Sequence, residues 1–465
     1  MVNHSEGDGA QTGSASAITV AVRVRPFSAL PAGSGRARSP SASSLLQVPT
    51  EAEPSSSSVR KIVNVIDEQV LVFDPADASF RKRRRTYVHG AHRNKEVQYA
   101  FDRVFGESAS QDDVYKGTAK PLIDGVLDGY NSTVFAYGAT GCGKTHTITG
   151  TPEDPGIIFL TMRELFARID EASTQLHIET SVSYLEVYNE AIKDLLKPTS
   201  TESLDLREDD SNSRVVVAGL SEHKPRDVDH VMDLMITGNN NRTKAPTEAN
   251  AVSSRSHAVL QIHVRLKDKA AGINSTIKTA TLSIIDLAGS ERASVTKNSG
   301  QRLLEGANIN RSLLALGNCI NALCSDRPNH IPYRDSKLTR LLKYSLGGNC
   351  RVVMIAAISA SSVHYEDTHN TLKYANRAKN IKTKVEQNTI DVAAHMAQYP
   401  KIISELQAEV QDLRDQLLGR QEQDLLHEKL GGRQPPKCGR YSQSWNRKKT
   451  KKPMGLPRSI RMSED

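Results

Sequence analysis

The run Tyr137-Gly138-Ala139-Thr140-Gly141-Cys142-Gly143-Lys144-Thr145 follows the apolar segment Val134-Phe135-Ala136 and constrains the chain more than any other stretch. Two glycines five apart, then Lys and Thr, set behind a strand-like run, fit the phosphate-loop pattern. The chemistry asks for these residue types. Small residues let successive backbone N–H groups converge on phosphate oxygens, and Lys144 adds a point charge near the outer phosphates. Thr145 offers a hydroxyl to Mg²⁺. A glycine-rich turn with no ligand is the other reading of the same residues, so the neighbouring segments decide.

Of the 465 residues, 38% are hydrophobic and 25% charged, enough for one large core or two smaller ones. No run approaches the roughly 18 apolar residues of a membrane span. The first seventeen residues lack the basic start and apolar segment of a secretory signal. Five cysteines, at 142, 319, 324, 350 and 438, have no metal-ligand spacing, which points to a reduced cytoplasmic or nuclear setting. The formal charge of +8 sits at the end of the chain, where ten Lys and Arg from Arg433 onward face only Glu464 and Asp465. The body is neutral, so a basic contact surface on it has to be a local patch.

Residues 1–17 read as a disordered tail and 18–382 as one domain, with a Ser/Pro/Gly-rich mobile insertion at 31–60 and a basic loop at 81–95 that contains Arg81-Lys82-Arg83-Arg84-Arg85. That run fits a solvated loop as well as an acidic partner. Val63, Val65, Val70 and Val72 alternate around Asp67-Glu68 and predict a hairpin. Helices are expected over 114–127, 158–171, 227–237, 304–323, 335–345 and 366–382, and strands over 18–24, 176–188, 258–266, 276–285 and 352–358. Strands alternating with helices around a phosphate loop predict an α/β domain, a central, mostly parallel or mixed sheet with helices on both faces. Beyond it, Val392, Met396, Tyr399, Ile403, Leu406, Val410, Leu413 and Leu417 step by three and four, interrupted at Pro400. This seam over 392–418 suits a short coiled coil or a single amphipathic helix packed on the domain. Residues 419–465 read as a basic disordered tail, and Arg447 to Lys452 suits nuclear import, a polymer tether or solubility.

Hydrolysis needs a water-positioning apparatus and a sensor of the third phosphate. Asn250-Ala251-Val252-Ser253-Ser254-Arg255-Ser256-His257 places hydroxyls and a guanidinium just ahead of a strand. Asp286-Leu287-Ala288-Gly289-Ser290-Glu291 places a carboxylate at a strand end, where it would orient the Mg²⁺ shell. Without a Cβ, Gly289 lets its N–H approach a γ-phosphate. Arg255 and Glu291 carry opposite charge, so their pairing would close both loops over the nucleotide. Singly, each also reads as a turn, a cap or a surface pair.

Together, Gly138 to Thr145, Asn-x-x-Ser-Ser-Arg-Ser-His at 250–257 and Asp286 to Glu291 resemble the kinesin motor domain. Arg23-Val24-Arg25-Pro26, Tyr333 to Thr339 and Leu372-Lys373-Tyr374-Ala375 extend the resemblance to about 18–390. Ala139 and Cys142 depart from the Gly-Gln-Thr opening of most kinesins. With Leu304 to Arg311 and His395-x-x-x-Tyr399 they resemble the eighth kinesin class, whose members regulate microtubule length at plus ends. The resemblance implies an ATP-driven, plus-end directed, microtubule-stimulated ATPase with ATP/ADP and Mg²⁺ bound, at work in the cytoplasm on the microtubule cytoskeleton and spindle. Arg23, Pro26 and His146 would enclose the adenine and Gly141, Cys142, Gly143, Lys144 and Thr145 hold the phosphates, with Arg25, Gly138, Ala139 and Thr140 as further nucleotide-binding residues. Thr145, Ser254 and Asp286 would hold Mg²⁺, Ser253, Ser254 and Gly289 the γ-phosphate and water, and Glu291, with Arg255 as partner, would relay the proton.

The resemblance also implies a microtubule contact through Lys297, Arg302, Arg334, Lys337 and Arg340, with the basic loop 81–85 as a second contact. Some of Arg334, Lys337 and Arg340 could instead make intramolecular pairs. Residues 383–391 resemble the neck linker, with Asn388 as latch, and 392–418 would support a homodimer. Tyr344 stands where the family usually has Asp. The rivals are a non-hydrolysing microtubule-binding module and a nucleic-acid-associated ATPase using the tail. Intact Thr145, Ser254, Gly289 and Glu291 argue against the first; nucleic acid is not the expected partner, and loss of all polymer affinity on removing residues 433–465 would favour the second.

Overall fold

The computed structural model describes residues 14–27, 59–74, 96–197, 203–209, 214–242, 254–269, 276–291, 301–325, 330–391 and five positions between 404 and 414. Its strands are β1 (Ser14–Ala17), β2 (Thr19–Arg25), β3 (Val63–Val65), β4 (Val70–Phe73), β5 (Val97–Ala100), β6 (Arg103–Phe105), β7 (Ser132–Tyr137) and β8 (Leu176–Tyr188). They continue with β9 (Ala191–Asp194), β10 (Asp205–Asp209), β11 (Arg214–Ala218), β12 (His257–Asp268), β13 (Thr276–Asp286), β14 (Arg351–Ser359), β15 (Lys382–Val385) and β16 (Thr389–Asp391). The helices are α1 (Gln111–Gly117), α2 (Lys120–Leu127), α3 (Lys144–Ile148), α4 (Ile157–Ala172), α5 (Val228–Asn241), α6 (Gln301–Leu323), α7 (Lys337–Leu341), α8 (Lys343–Gly347) and α9 (Tyr365–Ala378).

Among the described residues the main sheet runs β6-β2-β14-β7-β13-β12-β8-β9, with β16 added to β13. The pairs from β6 to β13 are parallel, and β12, β8 and β9 continue antiparallel. The sheet is therefore mixed. Every residue of β7 is buried, because a central parallel strand is covered on both faces and needs apolar side chains on each. Alternation divides them: Phe135 and Tyr137 enter one core with Met354, Ile285, Leu316 and Leu372, while Val134 and Ala136 enter the other with Ile355, Ile284, Ile148 and Met162. Helices α6 to α9 cover the first face and α1 to α5 the second, as the α/β reading expects.

Four expectations are revised. Residues 114–127 form two helices, α1 and α2, because Pro121 stands at the start of the second, where its ring would clash with the carbonyl four residues back in a continuous helix. The stretch 335–345 is likewise divided into α7 and α8. The helix read to 382 ends at Ala378, and Lys382–Val385 becomes β15, antiparallel to β1. Hence Ser14–Ala17, read as part of a disordered tail, is a strand. The hairpin around Asp67-Glu68 forms as β3 and β4. Residues 31–58 and the basic loop 81–95 lie outside the described residues.

Candidate nucleotide and switch site

β7 delivers the phosphate loop from between β14 and β13. Its last residue, Tyr137, stacks on Tyr374 of α9 with ring centroids 4.2 Å apart. Gly138 follows at φ +148, and a Cβ there would lie 2.2 Å from the carbonyl oxygen of Ala357, so only glycine fits this approach to β14. Ala139 and Cys142 are buried against Ala357. The two residues that distinguish this loop therefore form its apolar underside, and burial pushes the Cys142 thiol up to about 11, which leaves it protonated. Lys144 is buried, donates to the Ala139 carbonyl at 3.0 Å, and has its pKa lowered by that burial. Arg25 donates to the Gly141 carbonyl.

On the adenine side, Arg23 donates to Gln111 Oε1 at 2.6 Å and to Thr147 Oγ1 at 2.9 Å. Gln111, buried at the start of α1, donates in turn to the His146 carbonyl at 2.6 Å. His146 and Pro26 are exposed, so Arg23, Pro26 and His146 line an open edge. The sequence reading missed Gln111. The signal was the capping box Ser110 to Asp113, which fixes the start of α1 and with it this side chain.

At the end of β13, Asp286 Oδ2 accepts from Thr145 Oγ1 at 2.7 Å, while Oδ1 is buried with no hydrogen-bond partner among the described residues. A hydroxyl beside a carboxylate with one unsatisfied buried oxygen is a donor set that fits Mg²⁺ and its water shell. No cluster of three or more His, Cys, Asp or Glu among the described residues could hold a metal, so phosphate oxygens and water would supply the other ligands.

Behind Asp286 lies a charge cluster that the sequence reading also missed. Arg242, 7% exposed at the end of α5, stands 3.8 Å from Asp286 Oδ2 and 3.9 Å from Glu186 Oε1 of β8, and donates to Ser256 O and Oγ, each at 3.0 Å. Burial pushes the Asp286 pKa up, and Arg242, Thr145 and Lys144 oppose that push.

The two switch loops meet over the phosphate loop. Gly289 N–H donates to the Ser254 carbonyl at 2.9 Å, and Ser290 N–H donates to the Gly138 carbonyl at 3.1 Å. Glu291 accepts from Thr140 N–H at 2.9 Å and from Thr140 Oγ1 at 2.5 Å. A Cβ on Gly289 would lie 2.2 Å from Glu291 Oε2 and 2.3 Å from Thr140 Oγ1. The glycine thus admits the Glu291–Thr140 contact, and its N–H binds Ser254 rather than pointing outward. Arg255 and Glu291 both make further interactions. Ser253 lies outside the described residues.

The family model for the kinesin motor domain matches residues 48–381. The chain belongs to the kinesin family. It is 54% identical over 388 residues to the kinesin-like protein KIP3 of Saccharomyces cerevisiae, covering 77% of this chain and 48% of that one. Against kinesin-like protein 6 of Schizosaccharomyces pombe the figures are 53% over 436 residues, 89% and 55%. The chain thus spans about half the length of the curated relatives it matches. A solved structure described as a fast kinesin superimposes with a TM-score of 0.66 at 35% identity, covering 80% of this chain and 94% of that one. KIP3 and its KIF18 counterparts extend the resemblance to the eighth kinesin class.

On the expected microtubule face of this kinesin, Arg334 is exposed. Lys337 Nζ donates to Ser203 Oγ at 3.1 Å, and Arg340 Nη2 lies 3.4 Å from Glu208 Oε1. Lys343 holds the other Glu208 oxygen at 2.9 Å, and that bond, more than any other influence, lowers the Glu208 pKa. Glu190 accepts from Ser336 Oγ and from the Lys337 N–H, both at 2.7 Å, so it caps α7. Arg302 belongs to α6, and Lys297 and the loop 81–85 lie outside the described residues. Asn388 N and Nδ2 both donate to the Gly129 carbonyl at 2.9 Å, and Asn349 Nδ2 donates to Asn388 Oδ1 at 3.0 Å. The segment is docked, with β16 paired to Thr276–Lys278 of β13.

Proposed function

We propose that this chain is an ATP-driven, plus-end directed microtubule motor whose ATPase is stimulated by the polymer and which shortens microtubules at plus ends. The observation that carries the proposal is the double duty of β13. One end bears Asp286 and the loop bonded to Gly138, Thr140 and Ser254, and the other end receives β16. Nucleotide chemistry and displacement then share one strand of about 34 Å.

Arg23, Pro26 and His146 enclose the base in this proposal, and Gly138 to Thr145 the phosphates. Thr145, Ser254 and Asp286 hold Mg²⁺, which when bound neutralises charge between the outer phosphates. Ser253, Ser254 and the Gly289 N–H position the γ-phosphate and water, and Glu291 passes on the water's proton, steered by Arg255. For this the Gly289–Ser254 and Glu291–Thr140 bonds rearrange when the loops close. The microtubule face comprises α6 to α8 with Lys297, Arg302, Arg334, Lys337 and Arg340, with the loop 81–85 as a second contact, which places the protein on the microtubule cytoskeleton. No described helix is long and apolar enough to cross a membrane. The seam of three- and four-residue steps that includes Val410 supports a homodimer through 392–418.

Phosphate release is measured with and without stabilised microtubules, together with the length of dynamic ones. Stimulation in the native chain and its loss in Glu291→Ala are expected. Equal rates with and without polymer, or unchanged stimulation in the variant, would sink the proposal.

A further inference from the structure

His257 is the first residue of β12, three positions after Ser254, and its side chain is 2% exposed. Nδ1 accepts from the Ala288 N–H at 3.1 Å, which fixes the tautomer: that nitrogen carries no proton, so Nε2–H donates to Ser312 Oγ at 2.8 Å. Burial, with Arg242 and Lys144 adding to it, pushes the ring down to about 3 and keeps it neutral. Ala288 adjoins Gly289, whose N–H binds the Ser254 carbonyl. Ser312 is 3% exposed on α6, and two residues on, Leu314 is 66% exposed. One rigid ring, on the residue that closes the Ser254 motif, thus touches the loop after Asp286 and the helix beneath it.

We propose that His257 is a positioning residue that couples α6 to the switch loops, so that seating of α6 on a polymer surface is felt at Ser254 and Glu291. The ring fixes the separation of its two nitrogens, so a shift of Ala288 either carries Ser312 along or breaks one bond. This rests on the reading above that α6 faces the microtubule. Ser312→Ala removes the helix arm and leaves the Ala288 N–H bond to His257 in place. His257→Asn keeps an acceptor for the Ala288 N–H and loses the reach to Ser312.

Phosphate release from the full chain is measured across microtubule concentrations. Ser312→Ala is expected to keep its basal rate within about twofold while the maximal stimulated rate falls about tenfold, with the half-saturating microtubule concentration little changed. The double variant is expected to be no worse than the more affected single one, because both substitutions cut the same bond. Basal and stimulated rates falling together would show a merely structural bond and overturn the inference. So would full stimulation in Ser312→Ala, or additive losses in the double variant. A native chain that microtubules do not stimulate would instead overturn the proposed function, and the coupling with it.

Discussion

Two charge clusters share one design and differ in burial. In one, Arg242 stands between Glu186 and Asp286, with all three nearly inaccessible. In the other, Glu208 stands between Arg340 and Lys343, whose side chains are 31% and 27% exposed. Buried charges cannot be left alone, because water no longer compensates the survivor. Half-exposed ones can exchange partners, because water or another carboxylate substitutes at little cost. The first cluster therefore fixes the geometry at the end of β13, whereas the second can exchange its cations with an acidic surface, as the proposed microtubule contact requires.

The sharpest way to break this contrast is Arg242→Leu, which leaves two buried carboxylates facing each other. A loss of about 3–5 kcal/mol is expected, seen as a fall in Tm, and a change under about 1 kcal/mol would mean the cluster is hydrated. His257, buried and beside the same arginine, gives the next effect. Its pKa is depressed from 6.5 to about 3, so between those values the unfolded chain binds a proton that the folded chain refuses. Stability then falls as pH drops through that window, by about 1.4 kcal/mol per pH unit from this group, and His257→Asn should remove that share of the slope in pH-dependent denaturation.

Gln111 is the intermediate case, buried itself but serving the half-buried Arg23 and the exposed His146. Gln111→Leu is expected to raise the KM for ATP about tenfold with kcat nearly unchanged, equivalent to about 1.4 kcal/mol of uniform binding. The smallest effect belongs to Glu208→Gln. It should cost less than about 1 kcal/mol of stability, yet tighten microtubule binding two- to threefold at low salt by releasing Arg340 and Lys343. Weaker binding on co-sedimentation would show that Glu208 instead holds the two cations in their binding geometry.

The sequence was most legible where backbone geometry dictates residue type. Gly138 to Thr145 and Asp286 to Glu291 are constrained by close approach, and the fold brings these two segments, both named from the sequence, into contact. Arg242 and Glu186 were illegible for the opposite reason. An arginine at a helix end and a glutamate in a strand have ordinary local explanations, and only the tertiary fold brings both to Asp286. Glu190 misleads in the same way. It takes a left-handed φ of 60 in a turn where glycine is usual, and the reason, its carboxylate on Ser336 and Lys337, lies far along the chain. The helix drawn past Ala378 failed because pairing with β1 overrides the local preference of Lys379 to Lys382.

β16 occupies an edge that exists only because β13 outruns its neighbour. β7 pairs with Leu282 to Asp286, which leaves Thr276 to Lys278 open on that side. Whenever β16 leaves, the chain presents an unpaired strand end with donors and acceptors in register, a surface that any extended peptide of suitable alternation can fill. A short mimic of Thr389-Ile390-Asp391 would then compete with β16 for that edge without touching the nucleotide.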